Sequence, residues 1–282
     1  MQCRSRAARR ESTRPPRRRM QQPTTTTSYK AKEVPLFGGA ITIELPPKII
    51  DVSTFRQVPD TQEVFITTSS SRDESGNQQH QEERSADQTA LLTKDLSMIV
   101  EVLELVNPND DPEYLQQNDT TPGEDGKNHP KSVIKYHFDS LAHDNCSKLA
   151  TIKSITVPED VRQFTEPPAL VAGPSTSLSS KGGDGSGKAR RTPEPVRCYG
   201  LQSVAKFNGS EAEAHDVHIW LGLWRLKGIG NQGRGTDLVL SFNLPNLNSD
   251  NHPPFKRSVE FTDLVFQHAA RSLKIVDWSL FA

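Results

Sequence analysis

Hydrophobic positions along the chain follow two periods, and the switches between them outline the elements. "AITIEL" (Ala40–Leu45) and "EVFIT" (Glu63–Thr67) alternate apolar and polar residues, as half-buried strands do. "YGLQSVAKF" sets Tyr199, Leu201, Ala205 and Phe207 on one face at period two. "DLVLSFNL" does the same with Leu238, Leu240, Phe242 and Leu244. "VHIWLGLWRL" (Val217–Leu226) is apolar on both faces, which predicts a central strand covered on both sides. Trp220 and Trp224 fall on the same side of it and are expected to pack in the core. Helical period appears twice. In "SVIKYHFDSLA", Ile134, His137, Phe138 and Leu141 share a face. In "SVEFTDLVFQHAARSLKIV", Phe261, Leu264, Val265, Ala269 and Leu273 share one, with Ser258 as the expected N-cap.

"SMIVEVLELV" (Ser97–Val106) admits both periods, and its β-branched residues favour a strand. The choice decides where two carboxylates go. On a helix Glu101 and Glu104 would share a face. On a regular strand they point to opposite faces, unless a bulge re-aims one. Successive strands joined by hairpins, with two helices, predict an α+β fold: an antiparallel sheet with helices packed on it.

Composition divides the chain. Residues 1–32, about 68–94, about 108–131 and about 165–197 are rich in Ser, Thr, Gln, Asn, Pro, Gly and charge, and are expected to be disordered. The last three are expected as insertions in surface loops of a single domain spanning 33–282, because closure entropy grows slowly with loop length. What remains is roughly 160 residues, a usual size for one domain. The net charge of −1 hides an uneven distribution: the first twenty residues hold eight arginines and one glutamate. "RSRAARR" and "PPRRR" suit a nuclear localisation signal or a nucleic-acid contact. An Arg-rich start also fits a mitochondrial presequence, although Pro15 and Pro16 interrupt an amphipathic helix. The plain alternative is a solvated tail. Cys3, Cys146 and Cys198 are too scattered for a disulfide framework or a zinc site, which points to a reducing compartment. No apolar run approaches a membrane span, so no membrane contact is expected.

Two glycine motifs suggest a nucleotide, and both lack their context. In "KGGDGSGKARR" the position after Lys188 is Ala189, where a phosphate loop needs Ser or Thr, and Pro193 and Pro195 oppose the following helix. "GIGNQG" (Gly228–Gly233) is followed by a strand rather than a helix, so a hairpin loop is expected. His215 and His218 would face opposite ways on a strand, which argues against shared metal ligation. His137 and His268 are expected as satisfied core histidines. No catalytic residue, cofactor or metal is predicted.

The most specific stretch is "PLFGGAITIELPPKIIDVSTFRQVPDTQEVFI", Pro35 to Ile66. Its Leu-Phe-Gly-Gly-Ala start, Asp51-Val-Ser and Val58-Pro-Asp-Thr-Gln-Glu-Val-Phe resemble the Ran guanine-nucleotide release factor family, the Mog proteins. The resemblance continues through "MIVEVLELV", "YHFDSLA", "TDLVLSFNLP" and the ending "VDWSLFA". It implies a fold shared with the photosystem II subunit PsbP: a twisted antiparallel sheet between helices. It implies binding of the GTPase Ran, release of Ran's guanine nucleotide, a role in nucleocytoplasmic transport, and a nuclear location with some cytoplasmic protein. It carries no enzymatic chemistry. A monomer is expected, without direct contact to nucleotide or nucleic acid. Motif alignment with the family places its acidic Ran-facing carboxylates on Glu101 and Glu104, with Asp60, Gln62 and Glu63 as further candidates. Asp60 is equally a turn residue capping its own backbone. The alternative function is an adaptor that holds Ran without promoting release.

Overall fold

Two long strands organise the molecule. β10 (His215–Lys227) and β11 (Gly235–Pro245) pair antiparallel from Val217↔Pro245 to Lys227↔Gly235. A computed structural model describes residues 30–67, 96–112, 114, 129–172, 188–205, 214–246 and 253–282. The arginine-rich tail, most of the polar insertions and Phe207 lie outside these residues.

The other strands are β1 (Lys32–Leu36), β2 (Ile41–Leu45), β3 (Ile49–Asp51), β4 (Gln62–Thr67), β5 (Ser97–Glu104), β6 (Leu149–Thr156), β7 (Leu170–Ala172), β8 (Lys188–Arg190), β9 (Val196–Val204) and β12 (Lys274–Ile275). Seven form one antiparallel sheet in the order β3-β4-β5-β11-β10-β9-β6. β1, β2 and β12 form a small second sheet, and β7 pairs with β8. The two long helices among the described residues are α1 (Pro130–Asp144) and α2 (Pro253–Ser272).

Each face of the large sheet carries its own core. On one face Trp220, Trp224, Leu238, Leu240, Phe242, Met98 and Val100 meet α2, the small sheet and the C-terminal Trp278 and Phe281. On the other, Ile219, Leu221, Leu223, Val239 and Cys198 meet Val133, Ile134 and Phe138 of α1. The Trp-containing strand is therefore apolar at consecutive positions because both its faces are covered. Each large side chain so buried contributes about 1.5–3 kcal/mol. Gly200 sets how closely α1 approaches. A Cβ there would lie 2.6 Å from the Phe138 ring and 2.7 Å from the Thr151 carbonyl.

Five expectations need correction. α2 begins at Pro253, so Ser258 lies buried inside the helix and does not cap it. Its inward stripe is Phe261, Val265, Phe266, Ala269 and Ala270, while Leu264 is 49% exposed. The helix also stops at Ser272, and Lys274–Ile275 pairs with β2 instead of continuing the helical period. On β9 the more deeply buried face is Val196, Cys198, Gly200 and Gln202, because α1 lies over it; Tyr199 and Leu201 are half-buried. Part of 165–197 is ordered: Leu170–Ala172 pairs with Lys188–Arg190. Lys188 thus opens a strand rather than a helix, which removes the geometry a phosphate loop requires. "GIGNQG" forms the β10–β11 connection, with positive φ at Gly228, Gly230 and Gly233.

Candidate functional site at the β4–β5 end of the sheet

β5 is a regular strand, paired without a register break to β4 and β11. Glu101 and Glu104 therefore stand on opposite faces. Glu101 is half-buried beside Leu103 on the α1 side, and Glu104 is exposed at the strand's last position, opposite Thr236. Gln62 pairs directly with Glu101 across β4–β5, and its side-chain amide donates to Glu101 Oε1.

Asp60 is exposed in the turn that leads into β4, closed by Gln62 N–H to the Pro59 carbonyl at 2.9 Å. Its carboxylate makes no hydrogen bond among the described residues, so the expected capping of its own backbone is not seen. Asp60 lies two residues before Gln62, and Glu104 three beyond Glu101. Both mark the same end of the β4–β5 pair. The Thr61 carbonyl accepts from Val102 N–H at 2.9 Å and locks that end together.

Glu63 has a second task. Its Oε1 accepts from the Phe37 N–H at 2.6 Å. Phe37 has φ 50, a left-handed conformation that costs a bulky residue strain unless its surroundings hold it. The two most specific motifs, "LFGGA" and "PDTQEVF", thus meet through one charge-assisted hydrogen bond. Glu63→Ala is expected to lower stability by about 1.5–3 kcal/mol, the range for a hydrogen bond to a charged group. Glu63→Gln keeps the acceptor and should recover most of that loss. Thermal or urea unfolding of the two variants checks this, and equal losses would contradict it.

Behind Glu104 lies a buried polar cluster that sequence reading missed. Asp237 is fully buried on β11 and accepts from His137 Nε2 at 3.2 Å and from Val106 N–H at 3.1 Å. Arg225, cross-strand to it, places Nε 4.0 Å from Asp237 Oδ1 and donates through Nη2 to the Val106 carbonyl. Burial pushes the Arg225 guanidinium below its usual range, and the Asp237 carboxylate opposes that shift. Both peptide groups of Val106 are thereby tied down, which fixes the chain just beyond Glu104. Arg225 Nε and Nη1 and Asp237 Oδ1 have no hydrogen-bond partner among the described residues.

Phe55 is a further surface group that periodicity gave no reason to select. It is 62% exposed in the connection between β3 and β4, beside an Asp51 side chain that accepts from Ser53 N–H. The rim at this end therefore combines carboxylates from both faces of the sheet with an exposed aromatic ring.

The histidines divide. His137 is a satisfied core residue, as expected. His268 is satisfied by Glu44 Oε2 at 2.5 Å, but it sits half-exposed on α2 rather than in the core. His218 Nδ1 shares a 2.8 Å hydrogen bond with the Tyr199 hydroxyl and stacks on Trp220, so its ring is committed to packing. Burial holds it below its usual pKa. Among the described residues no group of three or more His, Cys, Asp or Glu is placed to hold a metal.

The family model for Ran-interacting Mog1 proteins matches residues 34–245, a span that contains both sequence motifs and every candidate carboxylate. This chain belongs to the Mog1 family. The Schizosaccharomyces pombe nuclear import protein mog1 is 28% identical over 88% of this chain and the whole of its own length. The human Ran guanine nucleotide release factor is 26% identical, covering 80% of this chain and 79% of that protein. The crystal structure of the Saccharomyces cerevisiae Ran-binding protein Mog1p superposes with a TM-score of 0.56 at 25% identity, over 90% of this chain and all of that one. The mixed architecture of a sheet between two helical layers is thus a Mog1 fold. In this Mog1 chain the β4–β5 rim is assembled by motifs from both ends of the matched region: β4 near its start and β11 near its finish.

Proposed function

We propose that this chain binds the GTPase Ran and promotes loss of Ran's bound guanine nucleotide, in support of nuclear import, with the β4–β5 rim as the contact surface. Membership of the Mog1 family supports the partner. The gathering of Asp60, Gln62, Glu63, Glu101 and Glu104 at one end of the sheet is the observation that carries the site.

Binding alone accounts for such an activity. A factor that binds the nucleotide-free or opened GTPase more tightly than the loaded form shifts the population toward the open form. By linkage, factor and nucleotide then weaken each other's binding by the same ratio. Carboxylates suit the task because a GTPase holds its phosphates with lysine and Mg²⁺. An acid that pairs with a basic group beside that pocket competes for the contacts that retain the phosphates. Asp60 and Glu104, both exposed, are the steering groups. Gln62 holds Glu101 at a fixed position by hydrogen bonding to it, and Glu63 keeps the motif turn in place beneath the rim.

Titration of the full chain into nucleotide-free and into GTP-loaded Ran tests this reading. Tighter binding to the nucleotide-free form is expected, by about tenfold or more, the usual scale of a coupling free energy. Equal affinities would leave a Ran-holding adaptor and remove the release activity.

A further inference from the structure

A groove of about 610 Å³ lies beside the last turn of α2, between that turn, β12 and the segment that links β8 to β9. Its charged lining is Arg190, Arg191, Arg197, Arg271 and Lys274, against the single carboxylate of Glu194. None of these five cations forms an ion pair among the described residues. Arg197 binds Gln267 Oε1 through Nη1, and its buried Nε has no hydrogen-bond partner among the described residues. Burial, and then the nearby charge of Arg271, hold Arg197 below its usual pKa, so these two like charges are kept together against their repulsion. Five cations less one carboxylate leave an excess of four. Glu194 and Asp263 offset part of this charge at Arg197, and an entering polyanion would offset the rest.

The lining also selects among polyanions. Among the described residues no aromatic side chain borders the groove, so a nucleotide base has no ring there to stack on. Its apolar lining, Pro193, Pro195, Leu273, Ile275 and an exposed Val276 among it, suits contact with aliphatic side-chain stems. A lone phosphate carries about two charges, half of what the excess would neutralise. A run of Asp or Glu carries one charge per residue, and each carboxylate fits a guanidinium fork in a bidentate pair. We propose that this groove binds an acidic peptide segment of a partner protein. The site is separate from the β4–β5 rim: β9 stands on the far side of β5, β11 and β10 from β4.

The test uses the full-length chain and a fluorescently labelled hexaglutamate peptide, followed by anisotropy at low and at physiological salt. Wild-type protein should bind saturably and more weakly at the higher salt. Arg271→Glu with Lys274→Glu changes two exposed residues and should keep the fold while weakening binding by about tenfold or more. Lys148→Glu with Lys153→Glu makes the same charge change at the exposed β6 edge and should change binding by less than about twofold. Equal weakening by both pairs would overturn the site by showing diffuse attraction. Absence of saturable binding to wild-type protein would overturn it as well. Displacement of the peptide by GTP or inorganic phosphate at matched charge concentration would overturn the peptide assignment.

Discussion

Replacing Asp60 and Glu104 together with lysine lowers the affinity for Ran by on the order of a hundredfold and leaves the unfolding midpoint where it was. The stability half of that expectation rests on exposure. Both side chains face solvent, and neither carboxylate makes a hydrogen bond among the described residues. Surface substitutions of this kind usually fall within about 0.5 kcal/mol. The affinity half rests on charge. Reversal removes two attractive groups and adds two repulsive ones at one rim, and like charges brought together across an interface cost several kcal/mol. The pair Glu101→Lys with Glu104→Lys is a less clean probe. Glu101 is half-buried and bonded to Gln62, so its reversal strands the Gln62 amide as well as changing the charge. Calorimetric titration with Ran, alongside thermal unfolding, decides the matter. Wild-type affinity in the Asp60–Glu104 variant removes the rim from the interface.

The largest loss of stability is expected at Asp237. Asp237→Ala should cost about 3–5 kcal/mol, the range for removing one partner of a buried ionic contact. Two groups lose their acceptor, His137 Nε2 and the Val106 N–H, and the Arg225 guanidinium loses its counter-ion. Arg225 would then be a buried cation with only the Val106 carbonyl for company. Replacing both charges with apolar residues of similar size, Asp237→Leu with Arg225→Met, should cost less than the single change, because no unpaired charge remains. Urea unfolding of the single and double variants measures this. A double variant no more stable than Asp237→Ala would show that the cluster acts through shape rather than charge. Since the cluster anchors the chain beyond Glu104, the single variant should also weaken Ran binding under conditions where it remains folded.

Much of this molecule was legible in its hydrophobic pattern, where one residue's environment follows from its neighbours in the chain. β10 declared itself because a strand covered on both faces is apolar at consecutive positions. β5 declared itself by β-branching, and its regularity then placed Glu101 and Glu104 on opposite faces. What the pattern missed are contacts between residues far apart in the chain. Glu63 has the polarity of an exposed strand position, and nothing local shows that it holds the Phe37 N–H. His137 and Asp237 lie on different elements, and Asp237 stands in a strand whose alternation marks it as an outward polar residue. The second core turned that side inward. The α2 stripe was misplaced for a related reason. Leu264 satisfies the helical period, but the face buried against β2 and the Trp strand is rotated toward Phe266 and Ala270. The family resemblance supplied the partner, which no pattern of polarity encodes.

The most direct measurement of the central claim is the rate at which Ran loaded with labelled GTP loses its nucleotide, with and without the full-length protein. Wild-type protein should accelerate release in proportion to its concentration until Ran is saturated. The Asp60→Lys, Glu104→Lys variant at the same concentration should leave the intrinsic rate almost unchanged. An unaltered rate with saturating wild-type protein, or equal acceleration by the variant, would contradict the account.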